Sequence, residues 1–204
     1  AGFYERAGLV QLNDGEQGSI TICGAVSPAG GNFEEPVTQA TLKVVGSFLA
    51  LSRDRANARR YPAIHPLESW SKYQSLVPER IITKARLFLR EGNEVNQMMK
   101  VVGEEGTPTS DFVVYLKSEF IDAVYLQQNT FDQVDGACGA ERQKYTFAKL
   151  VQVLEKKFDF VDKDEARSYF LHLRQAFIDW NYAPWDSEEF RKAEAAIDAT
   201  LAKK

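Results

Sequence analysis

The chain has 204 residues, 44% hydrophobic and 26% charged, a composition that supports a buried core and is too apolar for a disordered segment. With 25 Lys and Arg against 29 Asp and Glu, the formal net charge is -4, so there is no broad cationic surface to attract nucleic acid or anionic lipid. No apolar run approaches the roughly 20 residues that span a bilayer, and Glu5 and Arg6 stand where an export signal would carry its apolar segment.

Cys23 and Cys138 are too few and too far apart for a disulfide framework or a structural zinc cluster, a pattern that suits a reducing, cytoplasmic compartment. His65 and His172 are not spaced for one metal or for a histidine-based triad. None of G-x-x-x-x-G-K-[ST], G-x-G-x-x-G or G-x-S-x-G occurs, so the residues point to no catalytic side chain, no metal ligand and no phosphate cradle.

In chain order, Phe3-Tyr4-Glu5-Arg6-Ala7-Gly8 reads as the last turn of a helix closed by glycine, as in a sequence that begins inside a larger protein. Leu9 to Leu12 and Ser19 to Val26 read as two strands joined through Asp14-Gly15 and Gly18. The second is apolar on nearly both faces, as a strand covered on both sides would be, yet few strands follow, so the sheet reads as truncated. Ser27 to Pro36, with two prolines and paired glycines, is a shaped loop. Beyond Pro36 a helix capped by Thr38 is expected, with Leu42, Val45 and Leu49 on its apolar face, ending near Asn57.

The prolines of Tyr61 to Ser69 hold the next segment extended, and a domain boundary is expected just after it, separating 1–74 from 75–204. Helical periodicity then runs nearly to the end. The stripes are Ile81, Ala85, Phe88 and Leu89; Phe112, Leu116, Phe120 and Val124; Phe147, Leu150, Leu154 and Phe158; Phe170, Leu173, Phe177 and Trp180; and Phe190, Ala193, Ile197 and Leu201. Between the first two stripes, Gly103 to Asp111 is an acidic turn expected at an exposed tip.

Glu34/Glu35 and Glu104/Glu105 lie in loops with no nucleophile or base at a telling spacing, and read as solvated charge. His65, between Ile64 and Pro66, reads as a structural histidine. Tyr61 and Phe131 stand out because each follows a polar or charged run instead of continuing a helical stripe. Core packing is the commoner fate of such a ring, and ligand stacking is the other.

Three runs carry a resemblance: Phe3 to Gly8 with Gly18 to Gln39, then Arg60-Tyr61-Pro62-Ala63-Ile64-His65-Pro66-Leu67, then Leu126-Gln127-Gln128-Asn129-Thr130-Phe131 with Val134-Asp135 and Cys138. In this order they resemble the catalytic A subunit of V-type and archaeal-type rotary ATPases. The resemblance implies a mainly α fold: a C-terminal helical domain preceded by a truncated α/β remnant of the nucleotide-binding domain. It also implies that Tyr61 and Phe131 sandwich adenine, with Gln128 and Thr130 beside the base or ribose. ATP or ADP with Mg would be bound by the intact subunit, whose phosphate-binding loop precedes this region, and the chain alone would be inactive.

The partners so implied are noncatalytic B subunits in a hexameric ring and a central rotor shaft, met through Gly30–Phe33 and Gly103–Asp111. The chain would reach the membrane only through the assembled complex, on its cytoplasmic side, where hydrolysis or synthesis is coupled to ion transport. The alternative is a noncatalytic helical interaction protein on the same scaffold.

Overall fold

A computed structural model describes residues 2–204. By their contacts the residues form two units, one up to Leu49 together with Ser69–Tyr73, the other Ala50–Glu68 with Gln74–Lys204.

In the first unit, Tyr4–Arg6 makes one 3-10 turn, and Gly8 opens a strand instead of closing a helix. Strand β1 (Gly8–Gln11) pairs antiparallel with β2 (Gln17–Ile20), Gly8 opposite Ile20. Gly15, at φ 90°, supplies the left-handed conformation of the connecting turn. The expected hairpin is therefore present, but β2 stops at Ile20, well short of Val26. Leu9, Val10 and Ile20 are exposed, not covered on both faces, because among the described residues this ribbon has only two strands.

The helix expected from Thr38 to Asn57 is two helices. Helix α1 (Pro36–Val44) starts at the proline itself, whose fixed φ suits a first helical position. Thr38 is buried inside the first turn, donating to Glu35 Oε2 at 3.4 Å, and is not the cap. At Val45 the backbone becomes extended, and Gly46 packs against the Tyr73 ring where any Cβ would collide. Beyond it β3 (Ser47–Phe48) pairs with β4 (Trp70–Ser71), and Phe33, Phe48 and Trp70 form a chain of ring contacts. Strand pairing and aromatic packing here override the apolar periodicity that favoured a continuous helix.

The second unit begins with a strap. Ser52 Oγ caps α2 (Arg53–Asn57) by accepting from Arg55 N at 3.3 Å. The proline-rich return runs antiparallel to residues 50–52: Ser52 N donates to Ala63 O at 2.8 Å and His65 N to Ala50 O at 2.7 Å. Arg86 Nη2 donates to Leu67 O, so 50–68 packs with the helices that follow.

Those helices are α3 (Glu79–Val102), α4 (Thr109–Ile121), α5 (Ala140–Glu155), α6 (Lys163–Tyr182) and α7 (Glu188–Leu201). The predicted stripes face one core, with Phe120, Leu150, Leu173, Phe177, Trp180 and Ile197 at most 2% exposed, while Phe112 is buried outside that cluster. Gly92 allows α3 and α4 to approach closely, since a Cβ there would strike Ser118. Asp162 and Ser187 cap α6 and α7.

The Gly103–Pro108 turn is exposed except for Thr107, whose hydroxyl donates to Gly103 O at 3.1 Å. It is also tied down: Arg167 pairs with Glu104, and Lys163 Nζ donates to the carbonyls of Glu104 and Glu105. Glu104 is thus a surface charge, as read from the sequence, that is also ion-paired.

Lys117, on α4, is buried, and its Nζ donates to Leu154 O at 2.7 Å and Lys156 O at 2.8 Å. These carbonyls lie at the negative end of α5, which suits a cation, and the ammonium also sits over the rings of Phe88 and Phe158. Lys117→Met should lower the unfolding free energy by about 2–3 kcal/mol in urea titrations, because both carbonyls lose their donor. Burial lowers the Lys117 pKa from 10.5, so just below that value the unfolded chain binds more protons than the folded one. Stability from this group therefore rises with pH in that alkaline window. The same titrations repeated from pH 8 upward should show this contribution in the parent chain and not in Lys117→Met.

Candidate functional site

At Ile121 helix α4 widens into a π turn, Asp122–Leu126, and the chain then becomes extended at Gln127. π turns are rare and concentrate at functional positions. Here the turn puts Asp122, only 4% exposed, against the strap. Arg55 Nη1 pairs with Asp122 Oδ1, and Arg60 Nη1 with Asp122 Oδ2 at 2.7 Å. Arg60 also grips Glu119 with both guanidinium ends, at 2.7 and 3.2 Å. The hydrogen bond to Glu119 is the largest influence raising the Arg60 pKa above its ordinary value, with the Glu119 and Asp122 charges adding to it against the cost of burial. These carboxylates and guanidiniums are 59 to 67 residues apart in sequence.

Directly after Arg60, Tyr61 O accepts from Gln128 N at 3.0 Å. The ion pairs thus hold Tyr61 and Gln128 in one place. From Gln128 to Cys138 the loop is closed by its own side chains: Asp132 Oδ1 accepts from Val134 N and Asp135 N, both at 2.8 Å, and Asp135 Oδ2 accepts from Asn129 N at 2.6 Å. Asn129 Oδ1 accepts from Phe131 N at 3.1 Å, and its Nδ2 donates to the Tyr182 hydroxyl at 3.3 Å. A Cβ at Gly136 would press on Asn129 O and Thr130 Cα, so glycine fits this close return.

The ring carried by this braced loop is free. Phe131 is 98% exposed and Tyr61 54%. Neither belongs to the core formed by the described residues. Gln128 and Thr130 are exposed beside Phe131; Gln128 Nε2 donates to Asp135 O, and the Thr130 side chain makes no hydrogen bond among the described residues. His65 is a structural residue, its Nδ1 accepting from Glu68 N at 3.2 Å. Asp122, Arg55, Glu119, Asn129 and Asp132 build the site but went unread in the sequence. The Asp132-x-x-Asp135 spacing marks a side-chain-capped turn, whereas nothing local marks the long-range ion pairs.

Behind the loop lies a cavity of about 310 Å³, lined mainly by polar side chains. Burial is the main cause that raises the pKa of the Cys138 thiol on its wall. Among the described residues no three His, Cys, Asp or Glu side chains gather to hold a metal ion, and no helix is long and apolar enough to cross a membrane.

Two family models match the chain: the nucleotide-binding domain of the ATP synthase alpha/beta family over residues 1–71, and the C-terminal domain of V and A type ATP synthase over 79–170. Together they define an ATP synthase chain of the V and A class, a nucleotide-binding-domain remnant followed by a helical C-terminal domain. The chain is 61% identical over 204 residues to the V-type ATP synthase alpha chain of Treponema denticola, 100% of this chain and 35% of that one. It is 59% identical over 197 residues to that of Borrelia turicatae, 97% of this chain and 34% of that one. The chain belongs to the V-type ATP synthase alpha-chain family and spans about a third of the length of these curated relatives. The solved structure of a unique ATP synthase subunit, NeqB from Nanoarcheaum equitans, shares the fold with TM-score 0.60 and 19% identity, over 76% of this chain and 38% of that one.

Asp122→Asn removes the charge that two guanidiniums share and should cost about 2–4 kcal/mol of stability, as expected when one partner of a buried ion pair is lost. Amide hydrogen exchange should show where the effect lands, with the Gln128 N–H, bonded to Tyr61 O, losing protection more than the amides of α7.

Proposed function

We propose that this chain supplies the adenine side of the nucleotide site in a catalytic subunit of a V-type rotary ATPase, with Tyr61 and Phe131 stacking on the base and Gln128 and Thr130 beside it. The observation that carries this reading is a phenylalanine 98% exposed on a loop fixed by six side-chain hydrogen bonds, four of them to backbone N–H groups. A planar base buries that ring without needing a charge. The surrounding bonds hold the ring in place before the ligand arrives, which lowers the entropy lost on binding.

ATP or ADP, with Mg at its phosphates, is the ligand of the intact subunit in this reading, and its phosphate contacts come from outside these 204 residues. The chain's own residues then bind and orient the base. Nucleotide occupancy moves the helical unit, and the motion passes to a central rotor shaft through the Gly103–Asp111 turn and the Gly30–Phe33 loop. Noncatalytic B subunits complete a hexameric ring on the cytoplasmic side of the membrane sector, where hydrolysis or synthesis is coupled to ion transport. In the first of these loops the contacts from Arg167 and Lys163 suit a tip that transmits force, since a free loop would yield.

Phe131→Ala in the complete subunit should weaken nucleotide binding by about 1 kcal/mol or more, read as a fivefold or larger rise in Kd by titration calorimetry. An unchanged Kd assigns the ring to another partner. The purified chain alone should show no ATP turnover, because stacking on the base does not position a phosphoryl group. A coupled phosphate-release assay checks this, and measurable turnover overturns the division of labour.

A further inference from the structure

The cavity behind the Phe131 loop carries two opposite charges that do not pair with each other. Arg142 is 6% exposed, and its Nη2 donates to the carbonyls of Trp180 and Asn181 at the end of α6. Its guanidinium also packs over the Phe190 ring, 5.8 Å from the centroid. Among the described residues no carboxylate forms an ion pair with it, and its Nε and Nη1 make no hydrogen bond within the chain, although the side chain lines the cavity. The two carbonyls and the ring hold the cation much as their counterparts hold Lys117, and they leave Arg142 with donors to spare, which an anionic group would pair with more strongly than a neutral one.

Asp135 stands on the same wall. Its Oδ2 accepts from Asn129 N, and among the described residues no hydrogen-bond donor reaches its Oδ1. Both charges act on the Cys138 thiol, where burial raises the pKa most, Arg142 opposes the rise and Asp135 adds to it. The side-chain amides of Gln127, Gln128 and Gln143, neutral groups that donate and accept, line the same cavity. A simple anion would meet Arg142 but be repelled by Asp135. A molecule carrying one group of each sign satisfies both.

We propose that this cavity binds a small zwitterion of the amino-acid type, its carboxylate on the free donors of Arg142 and its ammonium on Asp135. A carboxylate on guanidinium nitrogens makes charge-assisted hydrogen bonds, stronger than neutral ones, and the volume of about 310 Å³ admits a molecule of that size. The cavity shares Gln128 with the proposed base site but uses neither Tyr61 nor Phe131, so the inference does not depend on the nucleotide reading.

Cys138 reports occupancy, and the exposed Cys23 is an internal control. The chain is labelled with N-ethylmaleimide in the presence of common L-amino acids, each compared with its deaminated carboxylic acid. At least one amino acid should slow Cys138 labelling saturably, leave Cys23 unaffected, and outcompete its deaminated counterpart by about tenfold in concentration. In Asp135→Asn, which keeps an acceptor for Asn129 N, the amino acid should weaken by about tenfold and lose that advantage. Arg142→Gln should abolish protection by both. Because Arg142 also holds the end of α6, that variant counts only if its melting temperature is unchanged, and Asp135→Asn decides the matter alone if it is not. Equal protection by acid and amino acid, unchanged protection in Asp135→Asn, or no protection by any amino acid up to about 10 mM overturns the proposal.

Discussion

The buried carboxylate of Asp122 is the constraint on which the site depends. It lies where α4 widens into its π turn and receives Arg55 and Arg60 from a strap more than 60 residues earlier. Taking such a charge out of water costs several kcal/mol before any partner is counted, and a well-packed apolar contact would often be at least as stable. What the ion pairs add is direction. A guanidinium fork admits few geometries, and Arg60, held by Glu119 and Asp122 together, fixes the backbone at the next residue. Tyr61 O can then accept from Gln128 N, and two aromatic-bearing segments distant in sequence meet.

A free aromatic ring on a flexible loop would collapse onto the nearest apolar surface. Phe131 does not, because Asn129, Asp132 and Asp135 use their side chains to satisfy the backbone N–H groups around it and Gly136 permits the tight return. Local side-chain-to-backbone bonds of this kind fix a loop without a core of its own. The exposed ring is therefore held in place by the loop and not by apolar packing.

The helices were legible because their apolar stripes repeat at the helical period and face one core, as at Phe170, Leu173, Phe177 and Trp180. The break between α1 and α2 was not, since Val45, Phe48 and Leu49 continue a helical pattern while strand pairing with Trp70–Ser71 decides the outcome. Nor was the exposure of Ile20, which depends on what else covers the ribbon and not on its own alternation. At the site, Tyr61 and Phe131 could be picked out as aromatics outside any stripe. Their support could not, because Arg55, Arg60, Glu119 and Asp122 look like ordinary surface charges until the fold brings them together.

Helix α4 gives this arrangement its mechanical sense. Its 13 residues span about 20 Å at 1.5 Å per residue. The Gly103–Pro108 turn precedes it directly and the Asp122 turn follows it directly, so both ends are anchored: Arg167 and Lys163 hold the first, and Arg55 and Arg60 hold the second. Midway, Lys117 fastens the same helix to the end of α5, and Gly92 lets α3 lie close along it. A helix fixed at both ends and at its centre moves as a rigid body more readily than it bends, since bending would break buried charge-assisted bonds. In the function proposed above, such a body would carry a displacement of the Phe131 loop to the Gly103–Pro108 turn, and a push on the turn back to the loop, through the same residues.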